Sequence, residues 1–572
     1  MVDFWRRNIE DLGREEVVGI IDRELHGLYT EKYGPTKDLI IYLAPRENIR
    51  EIIRRLMTFS YTRLSVIVGN DERYFRRDFS LTYIVAFDKQ NLYIGVRAYL
   101  PEHDPEIQSI ADMVKAAWWN ERENRDLYGI EFVGLKDKRK LVLPEYWPDD
   151  AHPWRKDHPY NKPVMDWREG LPDYKPVGRH EDLDVIGMGP YHMINDEPIH
   201  WRLYVKGEII VDAEHRGFHN WRGIEKIAEG RLTYNQIPFI AERICGICGF
   251  THATSYVQAI ESLAGIDIPD RARYIRSLML EIERIESHLL WVGIACHILG
   301  FDTGFMLSWK IREHIMHLAE VLTGNRKTYG MDIVGGVRRD VLGDRLAKAR
   351  DSVKKIRYEY RELYNMLVNN SILVKRTRGV GVLPRDTAIS YGVVGPVARA
   401  TGLDIDVRRD HPYAAYKELS FDVPVYSEGD VLAITLVRLD EVFESLDLIE
   451  QILDALPRGP LAADVKGIPE NKEAVGVVEA PRGEDIHYVR SGLYNKIQRW
   501  RVRAPSYANI PPVKEMLIGY RLADAPIIYA SVDPCLACTE RYLVIDVDTG
   551  SKKIMTDDEL RAKSRKLSSR IG

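Results

Sequence analysis

Four of the five cysteines in the 572-residue chain fall in two C-x-x-C pairs, Cys245 with Cys248 and Cys535 with Cys538. The pairs stand near opposite ends of the last two thirds of the sequence, so a fold that joins all four thiolates on one metal must bring the second pair back to the first. Residues three apart in a helical turn can aim both sulfurs the same way, and each pair can then give two ligands to one ion. Spacing alone leaves other uses open. A structural zinc site takes four thiolates, although its pairs usually lie within about fifteen to twenty residues of each other. A thioredoxin-like exchange site needs its pair after a strand in a βαβ unit, a context neither pair has. Two disulfides would suit a secreted chain, not a reducing compartment. Soft thiolates also suit nickel and iron, and geometry decides among such metals.

The ends and the charge narrow the setting. The N-terminus, MVDFWRRNIEDLGREE, carries charges where a signal peptide needs its apolar core, and no stretch approaches eighteen uninterrupted apolar residues. A cytosolic chain is expected, with a membrane partner allowed. Charged residues make up 29% of the chain and the net charge is -5, which excludes an electrostatic case for nucleic acid.

Length predicts roughly two to four domains. Residues 1–148 read as a small α/β domain: DLIIYLAP predicts a strand, ENIREIIRRLM a helix, LTYIVAF and LYIGVRAYL two strands joined by a polar turn, and IQSIADMVKAAWWNERENRDLYG a second helix. Residues 149–176 are too rich in proline for a helix or central strand and predict a linker. Residues 177–541 carry long helical stripes. Ile275, Leu278, Ile282, Ile285, Leu289, Val292, Cys296 and Leu299 step by three and four. So do Leu342, Leu346, Ala349, Val353, Ile356, Tyr360, Leu363 and Leu367, and Leu439, Val442, Leu446, Ile449, Leu453 and Leu456. Three such stripes predict a bundle. The expected class is α+β, a small α/β domain followed by a large, mainly helical-bundle domain with peripheral β-structure. Residues 542–572 form a C-terminal extension rich in Lys and Arg.

The residues around the cysteines go further than their spacing. RICGICGFTH (243–252) resembles the first metal motif of nickel-iron hydrogenase large subunits, and DPCLACTER (533–541) the second, as found in the energy-converting, membrane-associated branch (group 4). EAPRG (479–483) with His487, and APSYANIPPV (504–513), resemble the arginine-bearing loop and the segment after it. GPVARATGLDIDVRRDHPYAAY (395–416) matches a stretch shared with the large hydrophilic subunit of respiratory complex I. In the N-terminal part, ERENRDLYGI (121–130) and LVLPEYWPDDAHPWRKDHPY (141–160) resemble the thirty-kilodalton subunit of complex I, departing from it at Leu135-Lys136, where that family has His-Pro. The fusion of the two modules resembles the formate hydrogenlyase type.

The resemblance implies a site. Cys245 and Cys535 would be terminal nickel ligands, and Cys248 and Cys538 would bridge nickel to an iron that carries carbonyl and cyanide. His252 would hydrogen-bond a bridging sulfur, and Pro534 is counted with it against the cofactor. Arg482 would stand over the metals as an always-charged fork, with Asp533 holding it in place. Glu197, beside a terminal cysteine, would begin the proton path, since a partly buried carboxyl can titrate near neutrality. Glu225 sits where many relatives bind magnesium. Arg541 replaces the histidine that completes that site, so Arg541 is expected to pair with Glu225 and magnesium is left out of the cofactors.

With no cysteines left for iron-sulfur clusters in this chain, the implied partners are an iron-sulfur small subunit, a ferredoxin-like electron-transfer subunit and complex I-like membrane subunits. An electron-input module such as formate dehydrogenase and a maturation endopeptidase that removes residues 542–572 are also implied. The chain would sit peripherally on the cytoplasmic face of the membrane. Its rivals are a complex I-like quinone reductase subunit without its own metal, which lacks the first cysteine motif, and a zinc-stabilised scaffold, which has no need of EAPRG or Glu197. Cys296 reads as a core residue of its stripe, His314 and His317 lack the glutamate arrangement of a metalloprotease, and Gly379 and Gly381 read as a turn.

Overall fold

The computed structural model describes residues 2–144, 147–158, 182–189, 198–218, 220–221, 223–535, 539–540, 542–545 and 552–555. The fold is α+β. Near the N-terminus, strands Glu31–Thr36, Leu39–Leu43, Thr62–Asp71, Asp78–Phe87 and Leu92–Pro101 form one sheet, in the spatial order first, second, fifth, fourth, third. The second and fifth strands pair in parallel and the others antiparallel. Helices Arg14–Glu24 and Ile49–Leu56 bury Val17, Ile21, Ile52, Ile53 and Leu56 in the core on one face.

The other face of that sheet is covered as well. Leu39, Ile41, Val66, Val68 and Ile84 pack in one cluster with Val475, Val477, Ile486 and Tyr488. These four belong to a three-stranded antiparallel sheet of Glu473–Ala480, Gly483–Ser491 and Ile497–Arg503. With both faces covered, all ten residues of Thr62–Asp71 are buried, and the strand loses the in-out alternation that would mark it in sequence. Residues 1–148 therefore contain the expected element types but share a core with residues 473–503. The second N-terminal helix spans only Ala117–Tyr128. Upstream of it, Glu106–Gln108 is a strand, and Glu121 accepts from the Ile110 backbone N–H at 2.7 Å, which holds the intervening chain in turns.

The start of the proline-rich segment is packed. Trp154 is buried, Arg155 donates to the Tyr128 carbonyl, and the Lys156 N–H donates to Asp71. The rest of the expected linker, 159–176, lies outside the described residues.

The bundle is built from helices Asp270–Ile298, Asp302–Thr323, Asp344–Val368 and Val431–Ala455. The expected stripes bury as read, with small differences at the ends: Leu342 precedes its helix and is exposed, and Leu299, Leu346 and Leu456 are half-buried. Asp270–Ile298 is buried on nearly every side, including Arg276, Glu281, Glu283, Arg284 and His288. The polar groups of this helix are paired within the core, for example Arg276 in an ion pair with Glu261 at 2.7 Å and His288 in a hydrogen bond with Glu441 at 2.8 Å. Cys296 is buried on its stripe, and burial pushes its thiol up to about 12, as suits a core residue. Among the described residues no helix is long and apolar enough to cross a membrane.

Candidate metal centre

The first cysteine pair departs from the helical turn expected for it. Cys245 lies in the loop after helix Ile237–Ala241, and Cys248 is the N-cap of helix Gly249–Ala264. The loop turns the backbone N–H groups of Ile247 and Cys248 onto the Cys245 sulfur, each at 3.3 Å, a nest of donors that favours a thiolate. The Tyr329 hydroxyl donates to the Cys245 carbonyl at 3.0 Å and fixes the loop from outside.

The second pair arrives from the end of the chain. Cys535 Sγ lies 3.1 Å from Cys245 Sγ, and the Cys535 N–H donates to Ser506 Oγ at 3.0 Å. Ser506 belongs to the short helix Pro505–Asn509, so the APSYANIPPV segment supports the ligand loop directly. Contacts with the Cys248 and Cys535 sulfurs, together with the charges of Arg482 and His252, hold the Cys245 thiol well below the ordinary range despite its burial. Cys538 lies outside the described residues, as do Glu197 and Arg541.

Arg482 is buried, and each of its three nitrogens donates one hydrogen bond. It donates from Nε to the Asp533 carbonyl and from Nη2 to Asp533 Oδ1, both at 2.7 Å, and from Nη1 to Ser287 Oγ at 3.1 Å. Burial alone would lower its pKa, but Asp533 and the three thiols Cys535, Cys248 and Cys245 hold it above the ordinary guanidinium value. Its backbone is placed by a close crossing. Asn509 donates to the Arg482 carbonyl, and Gly395, at φ +65°, passes so near that a Cβ there would lie 2.3 Å from that oxygen. Pro534 follows Asp533, half-buried.

His252 is buried with its Nδ1 3.1 Å from His487 Nε2 and 3.2 Å from Asp485 Oδ2; Asp485 Oδ2 is also 3.2 Å from His487 Nε2. Three ligand-type atoms this close could hold a metal. However, the Trp500 indole N–H donates to His487 Nδ1 at 3.2 Å, which needs the lone pair there and leaves the proton on Nε2, where a metal would need a lone pair. The trio is therefore a hydrogen-bonded cluster that orients His252 and leaves its Nε2 as the ring nitrogen free for a sulfur. Burial lowers the His487 pKa, in keeping with a neutral ring. His252 is raised despite burial because the Asp485 carboxylate lies beside it.

Several of these residues are not singled out by sequence reasoning. Asp485 is one, although it shares a strand face with His487 at i, i+2, a pattern that could have flagged it. Glu283 accepts from the Phe250 and Thr251 N–H groups at 2.8 and 2.9 Å, capping the helix after Cys248 from another helix, and burial pushes it up to about 7. Glu225 pairs with the strand beside its helix, Arg499 at 2.8 Å and Arg501 at 3.4 Å, and its expected partner Arg541 lies outside the described residues. Arg501 also binds Glu123 of the N-terminal part at 2.6 Å, so the charge network joins the two halves of the molecule.

A thiolate-lined centre under a buried guanidinium, carried by a helical bundle whose β-sheet fuses with an N-terminal α/β part, defines a hydrogenase large subunit built on complex I architecture. Comparison with known proteins agrees. The Nickel-dependent hydrogenase model matches residues 222–294. The Respiratory-chain NADH dehydrogenase 49 Kd subunit model matches 299–476 and 465–541, and the corresponding 30 Kd subunit model matches 42–164. Formate hydrogenlyase subunit 5 of Escherichia coli is 40% identical over 97% of this chain and 98% of its own, and Hydrogenase-4 component G of the same organism is 39% identical over 96% of each. An NADH-quinone oxidoreductase subunit of Phocaeicola vulgatus is 32% identical over 80% of this chain and 90% of its own. A protein from the structure of the membrane-bound sulfane sulfur reductase, an archaeal respiratory membrane complex, superposes with a TM-score of 0.60 at 35% identity, covering 64% of this chain and all of its own. The chain belongs to the nickel-dependent hydrogenases, in the family of formate hydrogenlyase subunit 5. It is an oxidoreductase of the hydrogenase class, and the quinone oxidoreductase subunits are a related family.

Proposed function

We propose that this chain is the catalytic large subunit of a formate hydrogenlyase-type complex, reversibly reducing protons to dihydrogen with electrons delivered by iron-sulfur partners. The observation that carries the reading is the 3.1 Å approach of the Cys245 and Cys535 sulfurs within reach of the Arg482 charge. The described donors are soft, with Cys245 and Cys248 buried and Cys535 half-buried, and fit nickel. Cys245 and Cys535 would be terminal ligands, and Cys248 and Cys538 would be shared with an iron bearing carbonyl and cyanide. When bound, the centre supplies the two-electron chemistry. Arg482 holds a fixed positive fork over it, and Asp533 fixes that fork. His252, oriented by Asp485 and His487, offers Nε2 to a sulfur, and Glu197 passes protons between the centre and solvent. Residues 1–148 would form the complex I-like docking module, 149–176 a connector, 177–541 the metal-bearing domain, and 542–572 an extension removed once the metals are in place.

The partners this reading requires are an iron-sulfur small subunit, a ferredoxin-like subunit, an electron-input module and complex I-like membrane subunits, with the chain peripheral on the cytoplasmic face. The test is elemental analysis and infrared spectroscopy of the purified complex. Nickel equal in amount to this subunit, with cyanide and carbonyl bands, is the expected result. Stoichiometric zinc with no such bands would sink the reading.

A further inference from the structure

The helix Ala525–Ser531 ends four residues before Cys535, and its last carbonyls have to be met inside the core. Trp291 donates its indole N–H to the Ala530 carbonyl at 2.7 Å. Arg438, from helix Val431–Ala455, donates Nη1 to the Ser531 carbonyl at 2.8 Å. Arg482 takes the Asp533 carbonyl at 2.7 Å. The first two of these donors are themselves stacked, with the Arg438 guanidinium 4.3 Å from the Trp291 ring centre. The chain they grip then turns through Asp533 at φ +51°, a left-handed conformation that an L-residue keeps only when its surroundings impose it.

Arg438 has no solvent exposure, and its side chain has no ion pair within salt-bridge distance among the described residues. Its Nε and Nη2 have no hydrogen-bond partner there, and neither does Asp533 Oδ2, the carboxylate oxygen that Arg482 leaves free. Burial pushes Arg438 down to about 10; the strongest force keeping it charged is the Asp533 carboxylate, and Arg482 opposes it. A cation of this kind in a dry core costs more than a neutral residue of similar volume unless something requires it. What it touches is the turn that delivers Asp533 and Cys535.

We propose that Arg438 is a positioning residue of the hydrogenase centre: it clamps the C-terminal end of helix Ala525–Ser531 and sets Asp533, and through Asp533 the Arg482 fork. The proposal rests on the hydrogenase reading and adds a residue on helix Val431–Ala455, which carries none of the described cysteines, and its side chain hydrogen-bonds none of them. A bland core arginine would be replaceable by any side chain that fills its volume. A positioning arginine acts through Asp533, so its effect should vanish when Asp533 can no longer act.

The experiment uses the intact complex and measures nickel per subunit together with kcat and KM for hydrogen-deuterium exchange. Arg438→Met is expected to keep nickel and KM near wild type while kcat falls at least tenfold, and Arg438→Lys, which retains a donor and the charge, should recover to within about threefold. In an Asp533→Asn background Arg438→Met should cost less than threefold further, the non-additivity of residues acting as a unit. Wild-type kcat in Arg438→Met, or an equal loss in both backgrounds, would overturn the proposal. If Arg438→Met does not assemble, Trp291→Phe replaces it. That change keeps the aromatic face and removes only the N–H on Ala530, so a kcat loss of threefold or more supports the clamp and unchanged kcat refutes it. Lack of exchange and nickel in the wild-type complex would instead count against the hydrogenase reading itself.

Discussion

The sulfurs of Cys245 and Cys535 lie 3.1 Å apart although 290 positions separate them in the chain. Ser506 holds one loop and Tyr329 the other, so the approach is built by the fold and does not depend on either loop alone. Cys535→Ser replaces a soft ligand by a hard, weakly acidic one and should lose nickel and exchange activity together. Metal analysis of the purified variant decides, and full nickel occupancy would remove Cys535 from the ligand set.

Glu197→Gln keeps shape and hydrogen bonding but cannot take up and release a proton near neutral pH. Nickel should remain near wild type while hydrogen evolution and hydrogen-deuterium exchange fall by about two orders of magnitude or more. Full exchange activity in this variant would show that the proton path runs elsewhere, leaving the hydrogenase assignment intact.

Maturation is expected to cut the chain after Arg541 once the metals are loaded. The intact mass of the active subunit should then correspond to residues 1–541. An active subunit that still ends at Gly572 would show that the processing of its relatives does not extend to this chain.

Acid should loosen the joint between the two sheets. Burial would raise the Glu484 carboxyl, but Arg63 and Arg503 outweigh it and hold it at about 2, whereas an unfolded glutamate titrates near about 4.3. The folded state therefore binds fewer protons. This stability is complete above about pH 5 and is lost as pH falls from there through about 2. Glu484→Gln leaves the buried Arg503 without its ion-pair partner and Arg63 with Asp88 alone, and should cost about 3–5 kcal/mol at pH 7. Its melting temperature should also fall less steeply than wild type between pH 5 and 3. Parallel pH profiles for the two proteins would argue against this pair as a source of acid sensitivity.

The helices were legible because their signal is local. Val353, Ile356, Tyr360 and Leu363 recur at helical spacing whatever they pack against, and their burial follows from that period alone. The hydrogenase class was legible because RICGICGFTH, EAPRG and DPCLACTER place unusual residue types at fixed offsets. Periodicity shows that a face is covered and does not say what covers it. Strand Thr62–Asp71, covered on both sides, lost even that signal, and nothing near Arg63 announces Glu484, 421 residues away. The contact of His252 with His487, and the grip of Arg438 on Ser531, join elements 235 and 93 positions apart in the sequence. By itself the sequence determined the three long apolar stripes of the bundle, the two C-x-x-C pairs and the family the chain belongs to. Only the tertiary structure decided which buried charges meet. A buried charge is tolerable only beside its partner, and that partner is chosen by the packing of distant elements.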